Sequence, residues 1–298
     1  MVGHFPSTPL VAAASDLFLK CEFLHPGRSH KARVAGALID DAEERGGLSP
    51  AQGRTLLERT GGNLGIALAL EAQSRGYDLT LITDPQSSPS KRRLAVGLGA
   101  TVIDRGEAYP NTRSNGEVVD LLLASSGSRY YYLNQFGNLA NHRAHEVGTG
   151  KEISQALVAR RYGADTTVVL VTGMGTGASM RGISTALKTN FNRVIKIAVQ
   201  PPNCDLQKAI YGQHEAYGIA VGEAAPFTPV TELDAIVSVS AEQIMTAQRQ
   251  LLSEYQLMVG PSSAANFAAL PAARQHPACQ TEPQIFVTLL FDRGEDYI

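Results

Sequence analysis

The stretch Val168 to Gly182, VVLVTGMGTGASMRG, constrains the fold most. Its Val-rich run reads as a buried strand, Gly173, Gly175 and Gly177 as a tight turn, and the residues after them as a helix start. Bare backbone N–H groups at such a helix start suit a phosphate. Glycine lets the backbone come close to an anion or adopt positive φ.

The same rhythm runs along the chain. Strands are expected at Leu17 to Leu24, Thr55 to Glu58, Leu79 to Thr83, Thr101 to Asp104 and Tyr130 to Leu133, and later at Val168 to Thr172, Val194 to Val199 and Ile285 to Leu290. Between them, helical spacing predicts Lys31 to Arg45 (with Ser29 as a possible cap), Gly65 to Arg75, Ser88-Pro89 to about Gly97, and Glu117 to Ala124. In the second half it predicts Lys151 to Tyr162, Gly177 to Lys188, a helix opened by the capping box Ser240/Gln243, and Ser262 to Gln275 interrupted by Pro271. Residues 1–16 read as a lead-in, and 134–150 and 201–235 as loops. Alternating strands and helices imply an α/β fold with parallel sheets covered on both faces. The expectation is two such sheets, split near residue 145.

Bulk properties narrow the function. The chain has 298 residues, 44% hydrophobic and 18% charged, and a net charge of −2. No basic surface argues for nucleic acid, and no long apolar run argues for a membrane span. Cys21, Cys204 and Cys279 are odd in number and far apart, which fits a reducing cytoplasm better than a disulfide framework. No signal peptide is visible at the N-terminus, so a cytoplasmic location is expected.

Three Gly- or Ser-rich turns fall between a strand and a helix: Arg59 to Gly65, Gly173 to Ser179 and Gly260 to Ala264. In a parallel sheet such turns sit at the ligand-binding edge. Gly173 to Ala178 formally matches a dinucleotide fingerprint, but the acidic residue expected after the next strand is replaced by Val199-Gln200-Pro201. Thr176 among the glycines favours a single phosphate monoester. Lys31 stands in the first turn of its helix, where a cation opposes the dipole. A surface lysine is the plain reading of Lys31. A partly desolvated amine with a lowered pKa, as imine chemistry needs, is the functional one.

Taken together, KCEFLHPGRSHKARVAGALIDDAEERGGL, ERTGGNLGIALALEAQSRGYDLTLI, QFGNLAN, GMGTGAS, GPSSAA and DRGEDYI resemble, in order and over nearly the whole chain, the cysteine synthase / cystathionine β-synthase family. These are fold type II pyridoxal-phosphate enzymes. The resemblance implies a tryptophan synthase β-like architecture of two three-layer αβα domains: a smaller mobile one, 25–145, and a larger cofactor domain made of 1–24 with 146–298. It implies pyridoxal 5'-phosphate as cofactor, an amino-acid substrate with a small nucleophile, and a homodimer.

Residue by residue, Lys31 corresponds to the cofactor's imine lysine, and Asn63 to the asparagine at its 3'-oxygen. Gly175, Thr176, Gly177, Ala178 and Ser179 correspond to the phosphate cup, and Ser262 to the serine at the ring nitrogen. Thr60, Gly61, Gly62 and Asn63, with Gln135 nearby, correspond to the substrate-carboxylate loop. Gly218 lies in a stretch resembling the loop that borders the site. The plain reading of both Asn63 and Ser262 is a helix N-cap.

The implied reaction is β-replacement on an O-activated L-serine, O-acetyl or O-phospho, through an aminoacrylate. Sulfide would give cysteine, and another thiol or an amine an unusual amino acid. The rivals are β-elimination of the serine/threonine dehydratase kind and a cofactor-binding homologue with a non-catalytic partner role. The chain departs from the family in the carboxylate loop, where Gly61 and Leu64 replace Ser and Thr. Each missing hydroxyl is worth roughly 1.5–3 kcal/mol to a charged ligand. Ala32 replaces an Asp, and His30, before the lysine, is either a second acid/base or a packed ring. His142 and His145 lack the companions of a metal site, so none is expected. Cys21 reads as an inert core thiol, and Tyr130 to Tyr132 as a half-buried strand.

Overall fold

The computed structural model describes residues 6–298 apart from 86 and 281; the first five residues of the expected lead-in lie outside the described residues. The strands are β1 Leu10–Ala14, β2 Leu17–Cys21, β3 Thr55–Arg59, β4 Leu79–Thr83, β5 Thr101–Asp104, β6 Tyr130–Tyr132, β7 Thr167–Gly173, β8 Val194–Gln200, β9 Cys204–Asp205, β10 Ile210–Tyr211, β11 Ala235–Ser238 and β12 Gln284–Leu290. The described chain divides into two compact units, Pro26–Asn141 and Pro6–His25 with His142–Ile298.

The first unit holds a four-stranded sheet in the order β5-β4-β3-β6, parallel throughout. The inner strands β3 and β4 bury both faces, and successive residues serve different cores. Leu56 packs with Val34, Leu38, Leu64 and Leu68 of the helices Lys31–Glu44 and Asn63–Arg75. Leu57 packs with Ile82, Val118 and Val119 on the opposite face, under the helix Asn115–Ser126. This two-residue alternation makes the unit three layers deep.

The second unit holds a six-stranded sheet in the order β1-β2-β12-β7-β8-β11. Only β1 runs antiparallel. The sequence TVVLVTG of β7 is buried at every position, as expected for a central parallel strand. The α/β class with mostly parallel sheets thus stands as expected. Among the described residues no helix is long and apolar enough to cross a membrane.

The differences from expectation have physical causes. The edge strand β1 alternates poorly, with Val11 and Ala12 exposed, so no strand pattern shows. The hairpin β9–β10 has two residues per strand, too few for a periodicity. Leu17 to Leu24 splits into β2 and a turn of 3-10 helix, Glu22–Leu24. The expected polar loop to Gly150 is instead helical, as Ala140–Ala144 and a π turn, His145–Gly150, that leads into Lys151–Ala159. Its glycine reads as a breaker but serves packing: a Cβ on Gly150 would lie 2.8 Å from Ile183 Cα. Reciprocally, a Cβ on Gly182 would lie 2.2 Å from the His142 carbonyl oxygen. Gly182→Ala should therefore lower stability by ~1–3 kcal/mol through overpacking, visible as a reduced thermal midpoint with secondary structure retained. An unchanged midpoint would show that this helix crossing relaxes freely.

Candidate active site

In the first unit, Lys31 opens the helix Lys31–Glu44. Ser29 is not the N-cap; His30 holds that place without a side-chain cap, though the Lys31 N–H donates to Ser29 Oγ at 3.3 Å. The loop before it is tight, since a Cβ on Gly27 would meet Ala32 Cβ at 2.6 Å. Burial pulls the Lys31 amine down to about 8, against the opposing pull of the Glu58 charge. Glu58, at the end of β3, is fully buried. Burial pushes its carboxyl up to about 7, although it accepts N–H groups from Gln135 at 3.1 Å and Arg59 at 2.9 Å. The sequence reading missed Glu58. Its signal is an acidic residue inside the apolar run TLLER, where a charge is rarely buried.

The turn after β3 carries Thr60 to Asn63. Thr60 N–H donates to the Ile82 carbonyl at 2.9 Å, which sets this turn beside the end of β4. Gln135 lies at the same edge, its Nε2 donating to the Arg59 carbonyl at 3.1 Å. Asn63 is not the N-cap, contrary to its plain reading; Gly62 is, and Asn63 is the first residue of the helix. The Lys91 ammonium donates to Asn63 Oδ1 at 2.7 Å. That bond fixes which end of the amide accepts and leaves the Asn63 NH2 end oriented as a donor. Lys91, only 3% exposed, was also missed. Its signal matches that of Lys31, a cation in a first helical turn, here after Ser88-Pro89. Leu64 belongs to the hydrophobic core, so its replacement of a hydroxyl residue is a packing exchange.

In the second unit, the turn after β7 leads into the helix Ala178–Leu187 through Gly177, at φ 77°. The N-cap Gly177 has no side chain, the Ala178 N–H donates to Thr176 Oγ at 3.4 Å, and the first turn has no acid, so this electropositive end suits an anion. Thr176 and Ser179 are buried there with their hydroxyls. The glycines serve a further purpose: a Cβ on Gly173 would meet Ile219 at 2.6 Å, on Gly175 the Gly218 carbonyl oxygen at 2.6 Å, and on Gly177 the Thr228 nitrogen at 2.8 Å. They let the segment bearing Gly218 close over the turn, where Ala220 N–H donates to the Met174 carbonyl at 2.8 Å. Gly218 itself adopts φ 89° and faces open space.

Ser262 is the second residue of the helix Pro261–Ala268 and 2% exposed; Gly260 holds the cap position, so the plain N-cap reading of Ser262 fails. Asn266 of that helix accepts the Gly173 N–H at 2.7 Å and ties the helix to the glycine turn. His145 lies 3.2 Å from the Thr149 hydroxyl and His142 packs on the Phe227 ring. Among the described residues no three side chains group as metal ligands. Cys21 is buried in β2 and its thiol is pushed up to about 11 by burial, as suits a packed thiol.

Residues 3–290 match the family described as pyridoxal-phosphate dependent enzyme. Cysteine synthase A of Escherichia coli (strain K12) is 31% identical, over 100% of this chain and 92% of the relative. The chain belongs to the cysteine synthase family of pyridoxal-phosphate dependent enzymes. Solved members of similar fold include O-ureido-L-serine synthase, 27% identical with a TM-score of 0.84, covering 99% of this chain and 91% of that one. An O-acetylserine dependent cystathionine β-synthase from Helicobacter pylori is 28% identical with a TM-score of 0.83, covering 100% and 95%. Each unit carries groups of a kind that suits the family cofactor: in the second, a helix start with two buried hydroxyls suits a phosphate, and in the first, the Lys31 amine, pulled down to about 8, suits an aldehyde.

The Glu58 carboxyl gives a pH test. Its folded pKa of about 7 exceeds its ordinary value of 4.5. Between those values the folded chain holds a proton that the unfolded chain has lost, so this contribution to stability declines as pH rises. In cofactor-free protein, Glu58→Gln should therefore flatten the fall of thermal midpoint from pH 5 to about 7. Parallel profiles for variant and parent would remove Glu58 as a titrating group in this range.

Proposed function

We propose that this protein catalyses β-replacement on an O-activated L-serine, O-acetyl or O-phospho, with sulfide or another thiol or amine as nucleophile. The observation that carries this reading is the full-length likeness to a cysteine synthase and to an O-acetylserine dependent cystathionine β-synthase, together with a Lys31 amine pulled down to about 8. When bound, pyridoxal phosphate supplies an electron sink for charge developing at the substrate Cα.

This chain's residues do the rest. Lys31 Nζ holds the cofactor and then moves the Cα proton, removing it as the leaving group departs from Cβ and returning it after the nucleophile has added there. A pKa of about 8 leaves roughly a tenth of this amine neutral at pH 7, far more than an ordinary lysine would have. Gly175, Thr176, Gly177, Ala178 and Ser179 would hold the phosphate through backbone N–H groups and hydroxyls. Asn63, whose Oδ1 accepts from Lys91, would offer its NH2 to the 3'-oxygen. Ser262 offers a neutral hydroxyl to the ring nitrogen, which favours loss of a β-substituent over deep stabilisation of charge at Cα. Thr60, Gly61, Gly62 and Gln135 bind the substrate carboxylate, and the segment at Gly218 borders the site. As in the family, the active form is a homodimer.

With O-acetyl- or O-phospho-L-serine the bound cofactor's absorbance should change, and sulfide should then yield cysteine with release of acetate or phosphate. Lys31→Ala should lower turnover by ~10²–10⁴-fold. Keto acid and ammonia released without any nucleophile, or no spectral change with either substrate, would overturn the reading.

A further inference from the structure

Gly61 marks the carboxylate loop's departure from its family, and its neighbour explains why it is a glycine. Its φ is not in the left-handed region, so backbone freedom does not demand it. Space does. A Cβ on Gly61 would lie 2.0 Å from Ser87 Oγ and 2.3 Å from Ser87 Cβ. The second distance matters more, because no rotation of the Ser87 hydroxyl clears it. On this backbone, positions 61 and 87 cannot both bear a side chain.

Ser87 is firmly placed. It follows β4, whose parallel neighbour β3 leads into the carboxylate loop. Its N–H donates to the Asp84 carbonyl at 2.9 Å, and the next residue, Ser88, caps the helix Pro89–Gly97. The Ser87 hydroxyl therefore occupies the volume into which a hydroxyl borne by residue 61 would project.

We infer that Ser87 is a substrate-binding residue of the carboxylate site, its Oγ–H supplying from the loop after β4 the hydrogen bond to the amino-acid carboxylate that Gly61 cannot make. This rests on the proposed role of Thr60 to Asn63 in carboxylate binding. The hydroxyl has been transposed between two adjacent strand ends, and the glycine is the steric complement of that transposition. Fixed by its own turn, Ser87 donates from a different direction than a residue-61 hydroxyl would.

The test uses holoenzyme and two ligands. L-Alanine carries the amine and the carboxylate but no leaving group, so its binding by calorimetry reports on the carboxylate site whether or not the β-replacement reading stands. O-Acetyl-L-serine reports KM and kcat. Ser87→Ala should weaken L-alanine roughly 10- to 100-fold, the worth of a hydrogen bond to a charged group. It should raise KM for O-acetyl-L-serine by a similar factor with kcat within about twofold of the parent, and Ser87→Thr should recover most of the loss. Gly61→Ser alone should lower the thermal midpoint through the clash, and Gly61→Ser with Ser87→Gly should restore both the midpoint and L-alanine binding. Equal L-alanine binding by the parent and Ser87→Ala, weak or strong, overturns the inference, as does a Gly61→Ser variant that melts like the parent. Failure of the β-replacement reading looks different: O-acetyl-L-serine is not turned over although L-alanine binding still depends on Ser87.

Discussion

The structure depends on how its helices begin. Ser88, Ser114 and Ser240 close the helices Pro89–Gly97, Asn115–Ser126 and Ala241–Tyr255, each hydroxyl accepting a first-turn N–H. The helices that begin at Lys31, Asn63, Ala178 and Pro261 have no side-chain cap and no acid in the first turn. Leaving a helix uncapped costs roughly 0.5–2 kcal/mol. Two of these starts turn their first N–H to a hydroxyl before the cap, Lys31 to Ser29 Oγ at 3.3 Å and Ala178 to Thr176 Oγ at 3.4 Å, and an N-cap side chain fills none of the four. A phosphate and a carboxylate are the ligands such starts accept. The positive ends also disfavour an ammonium nearby, which acts in the same direction as the burial that lowers Lys31.

Glu58 balances that arrangement. Burial lowers the Lys31 amine, and the Glu58 charge pulls it the other way. Glu58 places a carboxyl at the end of β3, held by the backbone N–H groups of Arg59 and Gln135. Those bonds make one residue both an electrostatic partner of Lys31 and a strut between the carboxylate loop and Gln135. Removing the carboxyl would therefore change a charge and loosen a loop together. The two effects are separable because only the first follows pH.

Much of the fold was legible because buried parallel strands leave a strong mark. TVVLVTG of β7 and LTLIT of β4 are apolar and bounded by turns, and both are buried throughout. What escaped was packing seen only in three dimensions. Gly150 ends a stretch that reads as a loop and Gly182 lies within an expected helix, and in three dimensions both are close-contact points between helices. The glycines of the turn after β7 likewise suggested approach to an anion, while their missing Cβ atoms make room for Gly218, Ile219 and Thr228. Lys31 was legible through its conflict with the helix dipole. Lys91 shows the same conflict, but its bond to Asn63 spans a sequence separation of 28, which no local pattern carries.

The carboxylate loop shows how a local departure from a family pattern is to be weighed. Gly61 and Leu64 both looked like lost donors, yet the structure separates them. Leu64 lies in the core with Leu56 and Leu68, so a hydroxyl there would have had to be buried among aliphatic groups. Gly61 lies against a serine whose side chain fills the space a residue-61 side chain needs. One substitution trades polarity for packing, and the other relocates polarity to the neighbouring strand end. A parallel sheet makes such relocation inexpensive, since adjacent strands deliver their turns to one edge and a hydroxyl can come from either. In this chain the carboxylate-binding hydroxyl can therefore come from the loop after β4 only because position 61 gives up its side chain, and a sequence motif confined to one loop records only part of the surface that meets the substrate.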